Sequence, residues 1–536
     1  MQEDAAGKLQ YSVWLGSEAA VEQLTVLKQK AVKAAPGIPL QTADTNKPYL
    51  LKRLDVTAST TGTDGVIHFA AGVSGQTTRI HPKQQGITVK ERSNRNYRGD
   101  LELSAYHDKL TLINVLPTEQ YLYSVVGSEL NSSWPAEALK AQAVAARTYA
   151  IKQGLKYEIA QVSDSTIDQA YYGLQSEFPA AIQAVDATKD EVILNKDGLI
   201  MPVFSSNAGG KTADPSEVWD NPASYLRSVY SPDQGAEAGK AKWYRIQLAD
   251  GRTGYVHSLY LKDTGQKNAQ GQPIFESTDE NVNIRLAPYV DNNANPAIDQ
   301  LALKQKVTVL DEEMESNAYS WIRGPYDADT LKSKLSAAGI AINGPLQSLE
   351  VSKRGPSGRV VEMKANGQVI EVEYPDAIRS LFGGLPSTLF EIEQAGSYTG
   401  NTASPADGAS DAPAGAAIAG ASETASAGDQ MYVLSGSQST PTAVKASDLV
   451  AVGATGQAKP LSQSGGTQTA AGSTPQPSSA SSSVTLSGKQ QIVFRGTGFG
   501  HGLGMSQWGA KGFAEQGYDY KKILQTYYTG VTITKE

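Results

Sequence analysis

At 536 residues the chain has room for about three domains, each able to bury a core of its own. Its 47 Lys and Arg against 55 Asp and Glu leave a formal net charge of −8, and no basic run is long enough to track phosphates, so nucleic acid is not an expected partner. Cysteine is absent, which excludes disulfides and thiolate metal sites, and the five histidines at 68, 81, 107, 257 and 501 lack ligand spacing, so no metal or cofactor is expected. No apolar stretch reaches the length of a membrane span, and the first residues carry neither a basic region nor an apolar core. Such a chain is either cytosolic or exported with its leader removed.

In chain order, Tyr11 to Gly16 is expected as a short strand and Glu18 to Ala35 as an amphipathic helix ending before Pro36-Gly37. Residues 1–59 form an N-terminal α/β segment with some likeness to the first half of a SPOR-type glycan-binding module; a plain extension packed on the next domain is the alternative reading. From 60 to 116 apolar and polar residues alternate, with turns at Thr63-Asp64-Gly65 and Arg98-Gly99-Asp100, which predicts a β region.

The segment Pro117 to Glu129 has helical spacing that aligns Glu129 with Leu122, Val125 and Val126. A carboxylate thus takes the next place on an apolar stripe, beside the negative end of the helix dipole. Both effects disfavour ionisation. A carboxyl kept protonated near neutral pH suits a general acid, whereas an ordinary solvated Glu at a fraying helix end is the plainer account. A second helix is expected from Ser133-Trp134-Pro135 to Gly154, built from small residues, with Lys140 and Arg147 on one face. Further on, Phe204-Ser205-Ser206-Asn207-Ala208-Gly209-Gly210 follows a strand, and its two glycines supply a bend where amides can face a ligand.

Residues 234–315 interrupt this pattern with strand alternation and an Asp250-Gly251 hairpin turn. Trp243 to Leu261 looks like the second half of a bacterial SH3-type module, and Val282 to Pro288 with Lys306 to Leu310 like the first half. The reversed order implies a circularly permuted SH3-like barrel inserted in the main domain. Residues 316–393 resume that domain, with a helix at Lys332 to Ala338, a strand at Gly355 to Met363 and a closing turn at Leu385 to Phe390. Residues 394–487 are rich in Ala, Ser, Gly and Thr and are expected as a low-complexity loop, within which Met431 to Leu434 could pair with the core. In 488–536, Gly496, Gly498, Gly500, Gly502 and Gly504 recur every second residue, predicting an extended segment with one bare face and a helix beginning near Ser506.

Tyr97 to Glu102, Leu112 to Pro117, Glu119 to Glu129, Trp134 to Ala150, Phe204 to Thr212 with Val218-Trp219, and above all Gly498-Phe499-Gly500-His501-Gly502-Leu503-Gly504-Met505-Ser506-Gln507-Trp508-Gly509 resemble the stage II sporulation protein D family of peptidoglycan lytic transglycosylases. The resemblance covers roughly 97–232, 316–393 and 490–533. It implies an α+β fold with a catalytic domain of this type (60–233, 316–393 and 488–536) carrying the insertion and the loop.

What the family implies for function is an exported wall protein acting on peptidoglycan glycan strands. Glu129 would protonate the β-1,4 oxygen between N-acetylmuramic acid and N-acetylglucosamine, then accept the proton of the muramyl C6 hydroxyl as it closes a 1,6-anhydro ring. One carboxyl then serves as acid and base, and no second carboxylate is needed. Lys140, Arg147, Ser205, Ser206, Asn207, His501, Ser506 and Gln507 would bind substrate. Some members hold zinc through His and Cys near the middle motif; this chain has Ser205-Ser206-Asn207 there. Other relatives raise the activity of a wall amidase without catalysis, so a binding role with an amidase partner remains open, as does a purely structural one.

Overall fold

The computed structural model describes residues 77–394 apart from 108, 220, 221 and 294, residues 483–486 and 491–535, and, nearer the N-terminus, 2–3, 9–10, 12–16, 18, 20–43, 49–55 and 66–72, with short strands at 430–433, 442–445, 450–452 and 458–460. The chain divides into one unit of residues 1–396 with 481–536 and a second of 397–480. The second unit contains two small hairpins, Gln430–Val433 with Thr442–Lys445 and Val450–Val452 with Ala458–Pro460. Leu434, the last residue of the apolar stretch at 431–434, and most of the low-complexity segment lie outside the described residues.

Mixed helices and separate, mostly antiparallel sheets make the main unit α+β. Helix α1 (Val21–Ala34) lies within the range its periodicity predicts, but Ser12 to Gly16 is not a strand. The alternating region gives Thr78–Ile80, Asp100–Tyr106 and Lys109–Val115 as one antiparallel sheet, with Gly99 at positive φ just before its middle strand. It feeds α2 (Thr118–Glu129) and α3 (Ala136–Gln153), the latter running from Pro135 to Gly154.

Helix α3 is the middle of the domain because its side chains are small on two faces. Leu139, Ala143 and Ala146 pack with Leu122, Val125 and Val126 of α2 and with Ala181, Ala184 and Val185 of α4 (Pro179–Ala187). Ala138, Ala141 and Ala145 pack instead with α7 (Gln507–Glu515) and α8 (Tyr520–Tyr527). Leu122, Val125 and Val126 are fully buried, each stabilising by roughly 1.5–3 kcal/mol. The strand Thr532–Lys535 pairs antiparallel with Glu191–Asn195, which ties the chain's end to the same core.

A third core holds α5 (Ala328–Ala337), α6 (Ile378–Leu381) and two sheets, in which Gln491–Thr497 runs between Ser320–Asp327 and Phe390–Gln394, and Ser348–Arg354 between Val360–Ala365 and Ser483–Thr485. Between these parts, strands from Lys242–Gln247 to Lys306–Met314 form one seven-stranded antiparallel sheet around Ile246, Val256, Ile284 and Leu301. Its first and last strands are neighbours, with Lys242 opposite Met314.

The glycine run departs from the expected extended segment. The strand ends at Thr497, and Gly498, Gly500, Gly502 and Gly504 all have positive φ, from 72° to 105°. The cause is close packing on buried groups: a Cβ on Gly502 would lie 2.1 Å from Nη2 of the buried Arg359. These glycines therefore serve close packing rather than an extended strand with one bare face.

Candidate active site

Glu129 is the last residue of α2, on the seam where the α2 core meets the α7 and α8 core. Its carboxyl is held from two sides. The Ala170 N–H donates to Oε1 at 2.9 Å, and the Gln507 side-chain amide donates to Oε2 at 2.8 Å. Burial pushes its pKa up from the ordinary carboxylate value, opposed by these two hydrogen bonds. The residue keeps a partial opening to solvent while its carboxyl is mostly enclosed by protein, which is the setting for proton exchange with a bound molecule.

Two segments bring those donors to the acid. The stretch 168–173 is strapped along α2, with Tyr172 N–H on Ser128 Oγ and Gly173 N–H on Ser124 Oγ, and it is anchored by Asp168, which accepts from Tyr149, Tyr157, Lys156 and the Ser163 N–H. Gln507 opens α7, which Ser506 caps by accepting from the Gly509 N–H. Ser506 Oγ in turn donates to Asp233, a fully buried carboxyl that also accepts from Gly210 N–H and Ser231 Oγ. Burial raises the pKa of Asp233 as well, against the hydrogen bonds it receives. Phe204–Ser205 lies parallel to Met505–Ser506, so the middle and C-terminal glycine motifs interlock around this carboxyl.

Trp508, next in the chain after Gln507, meets Trp134 with ring centroids 4.8 Å apart, and Lys511 lies over Trp508. Both rings are partly exposed and can offer a flat apolar face to a ligand. Ser206, half-buried, accepts the Trp508 N–H on its carbonyl, and its hydroxyl is without a partner among the described residues.

Of the residues expected to bind substrate, the structure brings Gln507 to Glu129 and Ser206 to Trp508. The others have different surroundings. Arg147 is 1% exposed, makes a bidentate pair with Glu119 at 2.7 and 2.8 Å, and donates to the carbonyls of Val185 and Glu191; it ties α2 and α4 to α3 and does not line a groove. Lys140 pairs with Glu137 at 2.7 Å and lies over Tyr520 of α8. Asn207 is fully buried, accepting from Gly209 N–H and donating to the Asp233 carbonyl. The amides of Gly209 and Gly210 are thereby used inside the protein and do not face a ligand. Ser205 accepts the Gly502 N–H, and Ser506 is the helix cap.

His501 accepts the Leu503 N–H on Nδ1 and so donates from Nε2 to the Phe204 carbonyl at 3.0 Å. Desolvation lowers its pKa to about 4, so it is neutral at pH 7, with Trp219 4.9 Å from its ring. Sequence reasoning missed Asp233, which stands just before the insertion with no motif around it. It also missed Trp134 and Trp508, although two tryptophans beside the acid and its partner glutamine were a usable signal. Among the described residues, no group of three or more His, Asp or Glu is arranged to hold a metal ion.

The stage II sporulation protein family matches residues 106–194, and a domain of unknown function, DUF8618, matches 262–405. An uncharacterized protein of Brachyspira hyodysenteriae is 36% identical over 153 residues, 28% of this chain and 41% of that protein. The amidase enhancer of Bacillus subtilis is 42% identical over 106 residues, 20% of this chain and 14% of its own length. Stage II sporulation protein D of the same organism is 26% identical over 149 residues, 25% of this chain and 43% of that protein. The chain thus spans less than half the length of each of these relatives.

Proposed function

We propose that this chain, which belongs to the stage II sporulation protein D family, is a peptidoglycan lytic transglycosylase that cuts the N-acetylmuramic acid β-1,4 N-acetylglucosamine bond and leaves 1,6-anhydro ends. The supporting observation is the Glu129 carboxyl, held by Ala170 and Gln507, with burial favouring its protonated form. In that form it donates its proton to the glycosidic oxygen as the bond to the anomeric carbon breaks. The two hydrogen bonds then stabilise the resulting carboxylate. It next takes the proton of the C6 hydroxyl, whose oxygen bonds to the anomeric carbon and restores the acid. Water is not consumed, so a single carboxyl completes the cycle. Gln507 and Ala170 fix the orientation of the acid through both steps. The remaining residues proposed for sugar contact are Ser206, Trp134 and Trp508.

In this reading the protein acts outside the cell, at the wall. The seven-stranded insertion is taken as an SH3-like accessory module, permuted in strand order, and the N-terminal segment as a further contact with glycan.

A second reading is favoured by the relative called amidase enhancer, at 42% identity: the same cleft would bind glycan without cutting it and assist a wall amidase. Purified glycan strands incubated with the protein and analysed by mass spectrometry separate the two. Anhydro-muramyl ends that disappear in Glu129→Gln support catalysis. Their absence with the unaltered protein, together with stimulation of an added amidase, supports the enhancer.

A further inference from the structure

A pocket of about 420 Å³ lies away from Glu129, lined by Arg323, Tyr374, Asp376, Arg379, Pro386 and Phe499. Four of its side chains are notable for what they lack or expose. Arg323 is half-buried and forms no ion pair among the described residues; its guanidinium donates only to the Ile322 carbonyl and lies over the Tyr289 ring. Asp376 accepts from Arg379 on Oδ2 at 3.1 Å, while its Oδ1 is buried and has no partner. Phe499 is 47% exposed and Tyr374 37% exposed, in a molecule whose other phenylalanines in this region are buried. With two guanidinium groups against one carboxylate, the pocket carries an excess of one positive charge.

The glycine run joins this pocket to the proposed active site. Phe499 lines it, and Gln507, eight residues later, holds Glu129, a chain distance of at most ~29 Å. The Asp376 N–H donates to the Val218 carbonyl, which brings in Trp219, the 40% exposed ring that stands over His501.

We propose that this pocket is a distal subsite for a sugar acid: Arg323 pairs with a carboxylate on the sugar, and Phe499 and Tyr374 pack on the ring's apolar face. A guanidinium without an ion-pair partner matches a carboxylate, and exposed aromatics favour a flat ring over a flexible chain. The volume suits one pyranose unit. This inference rests on the glycan reading above and adds to it a preference for the lactyl carboxylate of N-acetylmuramic acid.

The test is calorimetric titration of the full chain carrying Glu129→Gln, so that ligand is not turned over, with a peptide-free tetrasaccharide of alternating N-acetylglucosamine and N-acetylmuramic acid and with chitotetraose, which lacks carboxylates. Tighter binding of the acidic sugar by about tenfold or more is expected from one charge-assisted pair. Arg323→Gln should erase that gap. Phe499→Ala, at an exposed position that does not threaten folding, should weaken both sugars alike. Equal affinities, or a gap that survives Arg323→Gln in a variant with an unchanged melting curve, overturns the proposal, as does tighter binding of a free stem peptide than of the sugar. Should anhydro ends form while the gap is missing, the subsite fails alone. A gap that depends on Arg323 without any anhydro product leaves the subsite standing and sinks the catalytic reading.

Discussion

Replacing Gly509 by alanine sets two effects against each other. In an exposed helix interior the change gains at most about 1 kcal/mol of intrinsic propensity. Here the added Cβ would lie 1.9 Å from Ser231 Oγ and 2.0 Å from the Tyr527 hydroxyl, two buried groups that share a 2.7 Å hydrogen bond. Neither can swing out to solvent. Forcing an extra methyl into such packing costs about 1–3 kcal/mol, and breaking the bond between two buried hydroxyls costs about 1–3 more. The net expectation is a loss of about 3 kcal/mol, read as a fall in Tm. Because Gly509 is in the first turn of α7, the displacement also moves Gln507 away from Glu129, so activity per folded molecule should fall as well. The assay is a thermal melt with glycan cleavage measured below the transition. Gly235→Ala is the control, since its Cβ would make only ordinary contacts of 3.6 Å or more with Trp508 and Lys511. A Gly509→Ala protein as stable as the parent would refute the reasoning that glycine is required there for contact with the 231–233 segment.

On the proposed mechanism the protonated form of Glu129 is the active one and its pKa is raised, so the rate should persist above the ordinary carboxylate range and decline as pH rises through the folded value. Gln507→Leu removes one of the two donors that favour the carboxylate, and the alkaline limb of the pH profile should then move to higher pH; a limb that stays put would detach Gln507 from the acid. Arg147→Met should destabilise the fold by about 3–5 kcal/mol, because Glu119 loses its partner, while leaving the KM for glycan unchanged in the folded fraction. A raised KM without loss of stability would return Arg147 to the groove. The folded pKa of Asp233 is raised, so the stability it contributes is full below its unfolded value and lost as pH rises through the folded one. The Tm advantage of the parent over Asp233→Asn should therefore be larger at pH 4 than at pH 7, and a constant gap would contradict this. His501, with a pKa of about 4, should show a neutral ring with the proton on Nε2 throughout pH 5–8 by nitrogen NMR.

Local pattern revealed the helices α2 and α3 because their signals are local: a stripe ending in Glu129, a proline before and a glycine after. It also singled out Glu129 as an enclosed carboxyl, since a carboxylate on an apolar stripe needs no tertiary knowledge to be noticed. What it could not supply was the direction of polar side chains. Arg147 and Lys140 share a helix face in projection, yet one meets Glu119 of α2 and the other Glu137 and Tyr520, partners distant in the chain or hidden within the same turn. Period-two glycines suggested a strand, but backbone sign is set by what lies against each residue, and Arg359 and Val203 press on Gly502 and Gly504 from remote segments. Asp233 had no local signature at all, because its meaning comes from Gly210 and Ser506, 23 and 273 residues away.

The seven-stranded insertion enters and leaves through adjacent strands, and it is also fastened to its host. Trp243, Tyr255 and Ala287 share a small core with Ile322, and Glu313 takes both ends of the Arg495 guanidinium. Anything gripped by that sheet is consequently held at a constant remove from the Glu129 carboxyl. If the proposed cleavage holds, spacing along the polymer, and with it fragment size, becomes a property of this joint, adjustable by altering Ile322 or Glu313 without touching the chemistry.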